Sequence, residues 1–195
     1  DRVTHASMPI GAYAEKQIMP EDKLVSVPDG VSSEVASCIT LKGITAEYLL
    51  HRAYPLKKGD KVLYHAAAGA LGQILCPWAN AIGAEVIGTV GSKEKEEIAK
   101  KNGCHHVINY SDTNFVDEVE KIVGKNGIDV VYDGVGAKTF EGSIDVLKIR
   151  GMMVAFGNAS GYVDTIDVKK HINAKGLFFT RPSIAHYTVK REELE

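Results

Sequence analysis

No stretch of this 195-residue chain approaches the roughly 18–20 consecutive apolar residues that a membrane-crossing helix requires. Neither charge is in excess: 23 Lys and Arg stand against 25 Asp and Glu, a formal net charge of −2. That balance gives no electrostatic case for binding nucleic acid or an anionic membrane, and neither is expected as a partner. Cysteine is scarce. Cys38, Cys76 and Cys104 form no C-x-x-C pair and cannot all pair as disulfides, so a reducing, cytoplasmic setting is expected. His65, His105, His106 and the cysteines lack metal-ligand spacing, and no metal site is expected. Repeats of solenoid period and low-complexity tracts are missing too. What is present suits a globular protein: 45% hydrophobic residues for a core and 25% charged residues for a surface. The length fits one domain, or one domain with a piece of another. The chain opens at Asp1-Arg2-Val3 and ends at Arg191–Glu195, which reads as the first turn of a helix, so a piece of a longer protein is expected.

Residues 1–25 read as strand-like, broken by Pro9, Gly11 and Pro20. Ser32 or Ser33 can cap a helix through Ile39 that Gly43 breaks, followed by a second helix from Thr45 to Tyr54. From Lys61 a regular alternation begins. Strands are expected at Lys61–His65, Glu85–Val90, His106–Tyr110, Ile128–Asp133, Met152–Phe156 and Leu177–Thr180. Between them fall helices at Ala70–Ile82, at Lys93–Lys101, and along the stripe Phe115, Val116, Val119, Ile122 and Val123, capped by Asp112 or Thr113. A further helix is marked by Phe140, Ile144 and Leu147. Right-handed crossovers then give an α/β fold with a doubly wound, six-stranded parallel sheet. Pro77 lies inside a predicted helix, where it removes one backbone bond and predicts a kink.

The stretch HAAAGALGQI (65–74) joins the first strand of the alternation to its helix. Against the dinucleotide template G-x-G-x-x-G, Ala67 replaces the first glycine, while Gly69 and Gly72 remain. Alanine can make the tight turn if its φ stays negative. Gly69 would let backbone approach a pyrophosphate, and Gly72 would let the helix pack closely on the sheet. A helix N-terminus offers free N–H groups to phosphate. The plain alternative is a strand–turn–helix built from small residues.

The second strand ends Thr89-Val90-Gly91-Ser92, without the acid that bonds a ribose 2′-hydroxyl in NAD sites; Glu85 is at the wrong end. Lys93 and Lys95 follow in the next helix's first turn, against the macrodipole preference of roughly 0.3–1 kcal/mol. An anion between Ser92 and Lys95 would offset that. The reading is NADPH, although Glu94, Glu96 and Glu97 also allow a plain solvated face. Tyr110 can flank the adenine side or simply pack at a strand end.

Several segments together resemble the zinc-independent quinone oxidoreductases, the zeta-crystallin-like branch of the medium-chain dehydrogenase/reductase superfamily. They are GAYAEK, LKGITAEYLL, HAAAGALGQI, IGTVGSKEK, HHVINY, DVVYDGVG, GMMVAFGNASG and FFTRPS, in that order. The resemblance implies that residues 1–25 are the tail of a GroES-like catalytic domain. Residues 26–183 would be the NADPH-binding Rossmann domain, and 184–195 the start of a return to the catalytic domain. It also implies site residues: Ala68, Gly69, Ala70 and Leu71 under the pyrophosphate; Gly91, Ser92 and Lys95 around the 2′-phosphate, with Tyr110 close by; Thr45 near the nicotinamide. Gly134 and Val135 would close over the cofactor, and Phe156, Gly157 and Asn158 would line the nicotinamide side. The family more often has Gly-Val where Ala70-Leu71 stand and Gln where Pro77 stands.

The activity implied is metal-free hydride transfer from NADPH to a quinone or another electron-poor small molecule. An enone or alkenal reductase is the alternative within the superfamily, and a non-enzymatic NADPH- or RNA-binding, crystallin-like role lies outside enzymology. No general acid stands out; Tyr13, His171 and His186 are candidates only because they titrate or donate. The apolar strand near Leu177–Thr180 is expected to pair with its twin in a homodimer.

Overall fold

The computed structural model describes residues 1–6 and 9–195. A short antiparallel pair, β1 (Val3–Thr4) and β2 (Val25–Ser26), precedes helix α1 (Ser33–Tyr48). The alternation then runs β3 (Lys61–His65), α2 (Gly72–Ile82), β4 (Glu85–Val90), α3 (Lys93–Lys101), β5 (His106–Asn109), α4 (Phe115–Val123), β6 (Ile128–Asp133), α5 (Phe140–Val146), β7 (Leu147–Ala155) and β8 (Phe178–Thr180). Two short helices follow, α6 (Ile184–Tyr187) and α7 (Arg191–Leu194). Six strands form one parallel sheet in the order β5-β4-β3-β6-β7-β8. This is the doubly wound sheet expected from the sequence. The order reverses between β3 and β6, and open α/β sheets bind ligands beyond the carboxyl ends of strands at such a point.

Alternation with period two gives the sheet two buried faces. Val62, Tyr64, Val86, Val130, Tyr132 and Val154 face the core shared with α1 and α2. Leu63, Ile87, Val131 and Met153 face the core shared with α4 and α5.

Four expectations need correction. Gly43 does not break α1, which runs on to Tyr48 and ends in a wider turn at Leu49–Ala53. Leu49 and Leu50 are fully buried, worth about 1.5–3 kcal/mol each. That outweighs the roughly 1 kcal/mol cost of a mid-helix glycine. Tyr132 Oη donates to the Leu49 carbonyl at 3.1 Å and anchors the turn. The cap of α4 is Asn114, whose Oδ1 accepts from the Val116 amide at 3.0 Å, rather than Asp112 or Thr113. Leu147 opens β7 instead of closing α5, and β7 starts five residues before the predicted Met152, with a register shift opposite Ile128 and Val130 and a left-handed Arg150 (φ +60°). Three carbonyls at this corner, those of Ile144, Asp145 and Leu147, all accept from Lys175 Nζ, at 3.1, 2.6 and 3.0 Å. An ammonium satisfies several orphan carbonyls at once, so α5 can stop without a glycine. Finally, α2 starts at Gly72 rather than Ala70 and continues through Pro77; Pro77 is exposed, so water can serve the carbonyl its missing N–H leaves free.

Candidate functional site

Between β3 and α2 the chain turns through Ala66–Leu71. The left-handed residue is Ala66, at φ +61°, whereas Ala67 keeps a negative φ. The template assigns the first glycine's turn to position 67; here the strained conformation falls one residue earlier. Ala67 is buried, and its amide donates to the Thr89 carbonyl at 2.9 Å, tying the loop to the end of β4. A left-handed alanine costs roughly 1–2 kcal/mol. Ala66→Gly is therefore expected to raise stability by about 1 kcal/mol once the flexibility of glycine in the unfolded chain is subtracted. Thermal unfolding should show a rise of about 2–4 °C; a fall would mean that Ala66 is not left-handed.

The two glycines act on different atoms. A Cβ on Gly69 would stand 3.1 Å from the Ala66 carbonyl oxygen. A Cβ on Gly72 would stand 2.3 Å from the Ala67 carbonyl oxygen and 2.9 Å from its Cα, an overlap with backbone. Gly72 therefore lets the first turn of α2 sit against the loop. The amides of Ala70, Leu71 and Gly72 donate to no acceptor among the described residues. No side chain on the loop's exposed rim, Ala66, Gly69 and Ala70, is larger than methyl. Bare backbone, free N–H groups and a helix N-terminus converge there, a cradle suited to a diphosphate.

This loop separates two recesses. On one side is a cleft of about 780 Å³, on the other a recess of about 110 Å³, and Ala66 and Gly69 border both. Of the predicted residues, Thr45, Ala70, Leu71, Gly134, Val135 and Phe156 line the cleft. Ala68, Gly91, Lys95 and Tyr110 line the recess. A Cβ on Gly91 would lie 2.6 Å from Tyr110 Oη, so glycine lets the tyrosine close that wall. Lys95 is exposed and makes no ion pair among the described residues. Ser92 caps α3 without a side-chain bond, beside the recess but not lining it.

Gly157 and Asn158 line neither space. A Cβ on Gly157 would meet the Gly134 carbonyl oxygen at 2.5 Å, so Gly157 serves the close approach of the loops that follow β6 and β7. Asn158 Oδ1 accepts a long 3.4 Å bond from Arg181 Nη2. Of the three donor candidates, His186 lines the cleft and Tyr13 does not. His171 is occupied: its Nδ1 accepts from the Asp167 amide at 3.1 Å and its Nε2 lies 3.1 Å from Glu141 Oε1.

Sequence reasoning missed other cleft residues. Lys42 and Arg181 bring positive charge to its wall. Tyr48 stacks on Tyr187 at 4.5 Å, and burial, with the neighbouring tyrosine, pushes its hydroxyl up to about 12, keeping it a neutral donor. Tyr48 is nearly buried, and its exposed edge lines the cleft.

His65 is fully buried between Thr89 Oγ1 and Ser143 Oγ, 2.9 Å from each. Burial pulls its pKa below the usual histidine range, with Asp133 opposing. Above about pH 6.5 both folded and unfolded chains hold this ring neutral. Below it the unfolded chain takes up a proton that the folded chain refuses, so stability falls as pH drops toward the lowered folded value. The expected slope from this residue is at most about 1.4 kcal/mol per pH unit. Urea unfolding between pH 7.5 and 5.5 should show it, and His65→Gln should lack that part; an unchanged slope would contradict the assignment.

Among the described residues no three His, Cys, Asp or Glu side chains gather in a way that could hold a metal ion. No helix there is long and apolar enough to cross a membrane.

A profile of the family described as "Zinc-binding dehydrogenase" matches residues 70–195. The whole chain aligns at 46% identity with a 2-haloacrylate reductase of a Burkholderia species, covering 60% of that protein. It aligns at 44% identity with quinone oxidoreductase 1 of Escherichia coli, again over the whole chain and 59% of the relative. The crystal structure of Escherichia coli quinone oxidoreductase complexed with NADPH superposes with a TM-score of 0.95, over 100% of this chain and 60% of that one, at 44% identity. The chain thus spans about 60% of the length of these relatives.

Proposed function

The chain belongs to the zinc-binding dehydrogenase family and, within it, to the zinc-independent quinone oxidoreductase branch of the medium-chain dehydrogenase/reductase superfamily, and on that footing we propose that it is the cofactor-binding part of an NADPH-dependent quinone reductase. The observation that carries the reading is the bare loop Ala66–Leu71, with free helix amides, placed where the sheet order reverses. The NADPH complex of the Escherichia coli enzyme supports it.

When bound, NADPH supplies a hydride from its nicotinamide; a quinone gains that hydride and one proton to become a hydroquinone. The residues of this chain bind and orient. The amides of Ala70, Leu71 and Gly72 would hold the diphosphate, and Lys95 with Ser92 the 2′-phosphate. Ala68, Gly69, Gly91 and Tyr110 would shape the adenosine side, while Thr45, Gly134, Val135 and Phe156 would shape the nicotinamide side. Gly157 and Asn158 would support that wall from behind. In this reading residues 26–183 form the cofactor domain, 1–25 belong to a GroES-like catalytic domain and 184–195 lead back to it. The exposed Phe178 on edge strand β8 supports pairing in a homodimer. The three free thiols suit a cytoplasmic setting.

A second reading is favoured by one observation: identity to the 2-haloacrylate reductase, 46%, equals or exceeds that to the quinone oxidoreductases. Hydride addition to an activated C=C bond needs the same cofactor grip. Steady-state rates of the full-length protein with NADPH and either a naphthoquinone or a 2-haloacrylate decide between them. The first reading predicts higher kcat/KM on the quinone. Turnover of the haloacrylate alone would replace it with the second.

A further inference from the structure

One group of buried polar side chains, of which His65 also lines the cleft, has hydrogen bonds that converge on a single carboxylate. Asp133, fully buried at the end of β6, accepts at Oδ1 from the amides of Val135 (2.7 Å) and Gly136 (3.0 Å). Its Oδ2 accepts from Thr139 Oγ1 (2.7 Å) and Ser143 Oγ (3.2 Å). Ser143 has one proton and gives it to the carboxylate, so toward His65 it can only accept. His65 therefore donates from Nε2 to Ser143 Oγ at 2.9 Å, and its bare Nδ1 accepts from Thr89 Oγ1 at 2.9 Å. The Thr89 carbonyl in turn accepts from the Ala67 amide at 2.9 Å. These bonds, joined through the side chain and main chain of Thr89, link the β3–α2 loop, the end of β4 and the β6–α5 loop. Apolar side chains of similar volume would fill this space without the cost of burying polar groups. What they would not do is fix the spacing and orientation of the two loops.

We propose that His65, Ser143 and Asp133 are positioning residues that hold the β3–α2 and β6–α5 loops at one spacing, so that the two halves of a dinucleotide are gripped together. The inference rests on the cofactor reading above. The adenosine half needs only the β3–α2 loop and the Lys95 recess; the nicotinamide half needs Gly134 and Val135 as well. Breaking the chain of bonds in its middle uncouples the second half from the first.

The test is fluorescence titration of the full chain with NADPH, set beside calorimetric titration with adenosine 2′,5′-bisphosphate, which reaches only the first half. Ser143→Ala is expected to raise the NADPH Kd about tenfold and to leave the bisphosphate Kd within twofold. Thr89→Val, which keeps the main-chain bond to Ala67, should do the same, and Thr89→Ser should restore wild-type binding. The Thr89 pair carries the test if Ser143→Ala does not fold. Equal weakening of both ligands would reduce the group to a structural one and overturn the proposal, as would no weakening of either. A wild-type chain that binds neither ligand would instead overturn the cofactor reading itself.

Discussion

Gly72→Ala is expected to lower stability by about 3 kcal/mol and to weaken NADPH binding more than tenfold. The added methyl would stand 2.3 Å from the Ala67 carbonyl oxygen, with the Ala67 carbonyl carbon at 2.7 Å. Flexible side chains can step aside, but these are backbone atoms of a loop pinned to β4 through the Ala67 amide. Overpacking typically costs 1–3 kcal/mol, and a backbone obstacle puts this site at the upper end. Relief requires the first turn of α2 to lift from the loop, which carries the free amides of Ala70 and Leu71 away from the diphosphate. Thermal unfolding should fall by about 6–12 °C. A variant as stable as the parent, with NADPH affinity intact, would show that helix and loop are not in such close contact.

Lys95→Ala has the second large effect, and a selective one. The NADPH Kd is expected to rise about tenfold while the NADH Kd stays within twofold. A charge-assisted bond to phosphate is worth about 1.5–3 kcal/mol when shielded. Lys95 is exposed, so solvent screening brings the expectation to the lower end, near one factor of ten. β4 ends at Val90, and Gly91-Ser92 follow it without a carboxylate to repel the 2′-phosphate or to hold a free ribose hydroxyl. An equal loss for both cofactors would move the 2′-phosphate away from Lys95.

The fold was legible because two periods alternate in the sequence. Val62, Tyr64, Val86 and Val130 mark one face of the sheet and Leu63, Ile87 and Val131 the other, and right-handed crossovers then leave few strand orders. Element ends were harder. Gly43 was misread because local propensity is weak beside the burial of Leu49 and Leu50. Leu147 was misread because an apolar residue at a helix–strand corner fits either period.

The site divides in the same way. The phosphate loop could be found because Gly69 and Gly72 are required by backbone approach, which residue identity reveals. Ala66 could not, since a left-handed φ on alanine has no signature in composition. Nor could the His65 group: His65 meets Thr89 across 24 positions and Ser143 across 78, and no local spacing joins them. Gly157 borders neither recess, and its close contact with Gly134 has no sign in the sequence, because a glycine near a ligand and a glycine where two loops approach look alike there.

A crystal structure of the chain grown with NADPH tests the central claim most directly. The account predicts the diphosphate against the main chain of Gly69–Gly72 at hydrogen-bond distance, about 2.7–3.2 Å from the free amides, with the adenosine toward Lys95 and the nicotinamide toward Phe156. Diphosphate density elsewhere, with this loop bare, would contradict it.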